Sequence, residues 1–192
     1  MEKERKLINP RPIVVFDRDV TADDLKMFSK NFIDATIVVN GNVLIEGKIE
    51  HLLGDLYVSG NLFLDAPVLY FGNLYVTGDI LTGFLDYSLG VIKLHCYGDM
   101  LYAGIIYAEE IYSEGEINTL EIFSESLYCA GEIKSKKIEV SGDLYCKDNI
   151  CTYNYEIAVA GDFTCEKNVI TKALNVYGEQ KVYGTIEEYK GD

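Results

Sequence analysis

The chain has 192 residues, 48% of them hydrophobic, with 15 tyrosines, which supplies apolar surface for one well-buried domain and excludes a disordered chain. Its net charge is −14, and its three arginines, Arg5, Arg11 and Arg18, all lie near the N-terminus, so repulsion from phosphates argues against nucleic-acid binding and docking on anionic lipid. No apolar run approaches the ~18 residues needed to cross a bilayer. The charged start leads to Pro10 and Pro12 rather than an apolar stretch, so neither membrane insertion nor a secretion signal is expected.

Residues 1–12 read as a polar tail, and Ile13-Val-Val-Phe16 as a short strand. Thr21 then stands in N-cap position with Asp24 three residues on, a capping-box variant, and Asp23 and Asp24 suit the positive end of a helix. Leu25, Phe28 and Phe32 follow at i, i+3 and i+7, one apolar stripe of a helix of roughly ten residues. Laid across the end of a stack of strands, such a helix would hide both the first apolar layer and its unpaired backbone groups.

From residue 37 the chain repeats itself. Leu74-Tyr-Val-Thr-Gly-Asp-Ile80 is the clearest of nine copies, whose glycines are Gly41, Gly60, Gly78, Gly98, Gly115, Gly131, Gly142, Gly161 and Gly178. Each copy alternates two apolar residues, then has Gly, an acid or amide, and an aliphatic or its equivalent. The steps are 19, 18, 20, 17, 16, 11, 19 and 17 residues, and a period near 18 with alternation inside it signals a strand-built solenoid. Apolar pairs recur every five to seven residues, three to a turn. The expected fold is all-β: a single-stranded, three-sided parallel β-helix of eight or nine turns, spanning residues 37–186. A tail, short strand and capping helix precede it at 1–36, and a polar tail follows at 187–192. Turns of unequal length favour the right-handed over the left-handed form.

Two irregularities carry predictions. Between Phe84 and Ile92 the register blurs, as at an irregular corner or small insertion. The 11-residue step from Gly131 to Gly142 equals two sides of a turn, so the glycine-bearing corner moves to a neighbouring face without breaking the coil. Glycine at these corners is expected to supply positive φ, and the following Asp, Asn or Glu to hydrogen-bond its own turn.

Four of the five cysteines, Cys96, Cys129, Cys146 and Cys165, take the second apolar position of a pair and read as stacked core thiols. Their spacing matches no zinc motif, and buried free thiols suit a reducing compartment, here the cytoplasm. Tyr57, Tyr75, Tyr112 and Tyr128, with His95 in line, occupy the outward position between inward residues. Such a ladder either packs on itself as an ordinary strand surface, or stacks on sugar rings or a partner protein. The Gly-Asp corners lack the denser glycine and carboxylate pattern of calcium-binding β-rolls, which leaves them to turn chemistry. Only His51 and His95 are present, neither in a catalytic setting, and there is no phosphate loop or nucleophile elbow. A hexapeptide-type transferase is therefore a distant third among the readings. No catalytic residue, cofactor or metal site is expected.

The repeats Leu-Tyr-Val-Ser-Gly-Asn-Leu62, Leu-Tyr-Val-Thr-Gly-Asp-Ile80 and Ile-Glu-Val-Ser-Gly-Asp-Leu144 resemble the bactofilins and related polymer-forming cytoskeletal proteins. The resemblance covers about residues 37–186. It implies a right-handed three-sided β-helix in a bacterial cytoplasm, polymerising end to end into non-polar filaments without nucleotide. The capping helix and the richness in Tyr, Cys and acid depart from that family. The function expected is a non-enzymatic structural or interaction scaffold that associates with itself or another protein through its coil ends. The alternative is a ligand-binding module, for carbohydrate or protein, on the tyrosine face.

Overall fold

The computed structural model describes residues 11–189, apart from 32, 48, 50, 67, 83–87 and 153–154. Within them the chain winds as a parallel β-solenoid of about eight turns, with one short helix near the N-terminus. Every strand pairing is parallel and joins one turn to the next, which builds three ladders.

The first side starts with Ile13–Phe16 on Thr36–Val39. It runs through Leu56–Val58 and Asn73–Val76 to Gln180–Val182. The second side starts with Val20–Thr21 on Val43–Glu46 and reaches Ile186–Glu188. The third side runs from Val68–Tyr70 to Ala173–Val176. Both short strands before the helix are therefore strands of the coil itself. The helix, α1 (Ala22–Lys30), stands where the third side of that first turn would be.

Alternation puts one face of each strand inside. On the first side Leu56, Leu74, Leu94, Ile111, Leu127, Leu144 and Phe163 stack in register, each at most 2% exposed. At about 4.8 Å per turn the rod is ~40 Å long. Leu25 and Phe28 of α1 are buried against this core, as their spacing predicts, while Phe32 lies outside the described residues. The helix start is held by Asp24, which accepts from the Thr21 backbone N–H at 3.0 Å and takes both Arg18 guanidinium nitrogens at 2.6 and 3.0 Å.

The corners differ from expectation in two ways. None of the nine repeat glycines has positive φ; among the described residues only Gly47 does, at 81°. Glycine is required instead by close stacking of turns. Gly78 donates to the Gly60 carbonyl and Gly98 to that of Gly78, and a Cβ on Gly78 or Gly98 would lie 2.7 or 2.6 Å from that oxygen. Where the residue after the glycine is Asp or Asn, its side chain bonds across turns, not within its own. Oδ1 of Asn42, Asn61, Asp79 and Asp99 accepts the backbone N–H of Asn61, Asp79, Asp99 and Glu116 respectively, at 2.8–2.9 Å. Corner carboxylates are thus consumed as rungs between turns.

Gly41 to Gly131 stack between the first and second sides, whereas Gly142, Gly161 and Gly178 stack between the third and first, so the 11-residue step marks a change of corner. The corner between third and first sides has Gly54 and Gly72 stacked in the early turns, and carries no glycine in the three turns between Gly72 and Gly142. There the strands Ser88–Cys96, Met100–Ser113 and Ile117–Cys129 run on through it as single strands of 9, 14 and 13 residues, longer than the short strands expected. A break in register between Tyr102 and Ile105 falls at the other corner of the longest strand, between second and third sides. Of the blurred stretch from Phe84 to Ile92, residues 84–87 lie outside the described residues, and from Ser88 on it is regular strand paired with both neighbouring turns.

Several inward polar atoms are spent on corner carbonyls, whereas the buried Ser124 hydroxyl has no partner among the described residues. Cys96, Cys129 and Cys146 approach the carbonyl two residues on at 3.3 Å. Thr119, Ser135 and Thr152 do the same work at the corner between second and third sides, at 2.6–3.2 Å. A small polar side chain there satisfies an acceptor that a buried turn would otherwise leave bare.

Candidate interaction surfaces

The first side carries the aromatic ladder, and the register brings its members together in the order Tyr57, Tyr75, His95, Tyr112, Tyr128. Tyr57 stacks on Tyr75 with centroids 4.5 Å apart and planes 4° from parallel. His95 interrupts the stack, edge-on to Tyr75 at 5.0 Å and tilted on Tyr112 at 5.5 Å. Tyr112 and Tyr128 are stacked at 4.8 Å and 6°. The ladder then continues one rung further than the site residues singled out from sequence, to Tyr145, at 5.3 Å and 7° from Tyr128. Its position between Leu144 and Cys146, the same as that of the other tyrosines, is the signal that could have included it. A second, shorter stack pairs Tyr107 with Phe123 on the third side at 5.1 Å.

Polar neighbours pin the ladder from both flanks. Glu110 accepts from Lys93 Nζ at 2.7 Å and lies 2.9 Å from His95 Nε2, contacts that hold its carboxyl below the usual range. The Tyr112 hydroxyl donates to Glu114 and that of Tyr145 to Glu166. Hydrogen bonding to Glu114, with desolvation second, pushes the Tyr112 phenol up to about 12. Lys147 Nζ sits 5.5 Å from the Tyr128 ring centre. His51 stands apart from this side, exposed near the corner that precedes Leu56.

The stacking decides which chemistry the ladder offers. Ring faces from Tyr112 to Tyr145 cover one another, so edges and hydroxyls point to solvent. A sugar ring is held by a free aromatic face, and these rings have spent theirs on each other; two of the hydroxyls are further committed to glutamates. Beside the ladder runs an open groove of about 640 Å³, lined among others by Lys93, Glu109, Glu110, Glu125 and Asp143. It is a shallow polar trough left where the glycine-free corner meets the tight one at Gly142. No group of His, Cys, Asp or Glu among the described residues could hold a metal ion, and no described helix is long and apolar enough to cross a membrane.

No family model, curated protein or solved structure matches the chain. The surfaces are therefore weighed on their own geometry.

The remaining surface of interest is the last turn. Gln180, Val182, Ile186 and Glu188 hold the inward positions there, and all are exposed or half-exposed, as are Leu174 and Val176. Ile186 is 48% exposed, while Val169 one turn earlier on the same ladder is 0%. Among the described residues, the outer edges of Ala173–Val176, Gln180–Val182 and Ile186–Glu188 pair with no further strand.

Proposed function

We propose that the chain is a non-enzymatic β-helical scaffold in the cytoplasm, built to associate with a second protein surface through the end of its coil, in the first instance with its own kind. The observation that carries this reading is the last turn: three strand edges with unpaired backbone groups surround apolar side chains that every other turn buries. Such an edge is a template for strand addition, and proteins that do not use one blunt or cover it. The resemblance of the repeats to bactofilins points the same way. The aromatic ladder, its faces internally occupied, serves in this reading to stiffen the rod.

Light scattering over a wide concentration range tests it. The expected mass rises from the 21.6 kDa of one chain at low concentration to a multiple of it. Replacing Val182 and Ile186 with Lys, which puts charge on the apolar edge, should hold the mass at one chain. A wild-type mass of one chain at every concentration would overturn the self-associating scaffold.

A further inference from the structure

Resting on that reading, we infer that the last turn docks on the last turn of a second copy about a twofold axis, and that α1 makes this pair the end of assembly. Head-to-tail growth needs the first turn to offer three strand edges to the last turn of the next copy. It offers two, because α1 occupies the third side. A helix has no outward row of backbone donors and acceptors for a strand to join.

The corner ladders also change at this end. Between third and first sides, Asp143 Oδ1 accepts from Asp162 N–H at 2.8 Å and Asp162 Oδ1 from Glu179 N–H at 2.9 Å. The next acceptor would be Glu179, whose longer side chain turns instead to Lys181 Nζ at 2.9 Å. Between first and second sides, Asn149 serves Asn168 and Asn168 serves Thr185. Thr185 then donates its hydroxyl back to Asn168 Oδ1 at 3.1 Å. Both ladders end in the last turn, so a further parallel turn would join without this side-chain rung, as the turns from Glu116 to Asn149 already do.

A twofold axis across the coil leaves the two-edged first turn out of the contact. It sets strand edges against each other antiparallel, one side facing its own copy and the other two facing each other, a pairing that is at least as favourable per residue as the parallel one and needs no corner acceptor. The edges carry both signs of charge, Lys172 and Lys181 with Glu179, Glu187 and Glu188, so apposition does not simply sum the chain's acidity. A closed, isologous pair then buries Val182 and Ile186 in one continuous core twice the length of a single rod.

Two measurements on the full chain test this. First, light scattering of wild type is compared with Leu25→Asp/Phe28→Asp, which lifts α1 from the core. Wild type should plateau at two chains and the variant should grow beyond two. Growth of wild type past two would overturn the inference while leaving self-association standing, and a wild-type monomer would overturn self-association itself. A folded variant that also stops at two would show that α1 is not the stop. Second, should the variant not fold, a spin label at Tyr183→Cys in a Cys151→Ser background reports geometry in the otherwise native protein. Label pairs should lie within about one coil width, roughly 20 Å, whereas a label at Ile13→Cys in the same background should read ~80 Å, two rod lengths at the strand spacing. Short distances at Ile13 would overturn the tail-to-tail arrangement.

Discussion

Among the described residues the first and last turns of the coil each lack a neighbouring turn on one side, and they meet this differently. At the first turn Val20, Leu25 and Phe28 are at most 3% exposed, because α1 folds over the side that no strand covers, while Val14 and Phe16 on the first side are half-buried. At the last turn the positions that should be apolar and inward are Gln180, Val182, Ile186 and Glu188, left half in water or more. An N-cap, an amphipathic stripe and an Arg18–Asp24 pair are spent on one end, and nothing of the kind on the described residues of the other. In a solenoid each turn is stabilised only by its neighbours, so the end turns are the weakest and their treatment decides what the rod does. A closed end stops growth, and an unclosed end invites it.

Truncating one apolar side chain at each end gives the largest expected effect. Leu25→Ala removes a side chain that is 0% exposed and should cost about 2–5 kcal/mol. Ile186→Ala, half in water already, should cost roughly 1 kcal/mol or less in dilute monomer. Urea unfolding of both variants at low protein concentration measures the difference. Equal losses would mean that the helix protects the core no better than the bare edge does.

Much of this contrast was legible in the sequence, and the reason is periodicity. Thr21, Asp24, Leu25 and Phe28 announce the helix by spacing alone, and the alternating pairs announce three sides, because burial of every second residue leaves a period that composition cannot hide. The 11-residue step to Gly142 even gave the change of corner. What stayed hidden depends on the turn above. Gly78 looks like any turn glycine, and only the Gly60 carbonyl beneath it shows that contact, not positive φ, forbids a side chain. Asp79 reads as a local turn former, although its partner is Asp99 N–H, 20 residues away. The aromatic ladder was found as a set, but the orientation of its rings, which decides between stacking on a ligand and stacking on each other, has no sequence signal.

Thiol labelling sharpens the comparison along the rod. The thiolate is the reactive form, and burial pushes the Cys96 thiol up to about 12. Cys146 and Cys165 are raised as well, first by thiol–thiol hydrogen bonding and then by burial. Each should react only when its turn opens. If opening begins at the unprotected end, Cys165 should label faster than Cys146, then Cys129, then Cys96, with the half-exposed Cys151 ahead of all. A difference of about 1.4 kcal/mol in opening between Cys165 and Cys96 would appear as a tenfold ratio of rates. Mass spectrometry of partly labelled protein at pH 8 reads the order, and uniform rates among the four buried thiols would mean that the coil opens as one unit.

The smallest effect concerns the lock on the closed end. Asp24 is held below the usual carboxylate range by Arg18 first, and then by the Thr21 N–H. A carboxyl depressed in the folded state stabilises it fully above its unfolded-state pKa, about 3.9, and loses that contribution as pH falls through the lower folded value. The group is exposed and screened, so the whole coil should barely respond. The response belongs to α1. Below about pH 4 its amides should lose hydrogen-exchange protection ahead of those in the central strands, and added salt should mimic part of the loss. In Asp24→Asn that extra acid sensitivity should vanish, leaving a helix less protected at neutral pH. An unchanged pH profile in the Asn variant would place the lock elsewhere, in the packing of Leu25 and Phe28 alone, and the closed end would then be held by apolar contact with no electrostatic part.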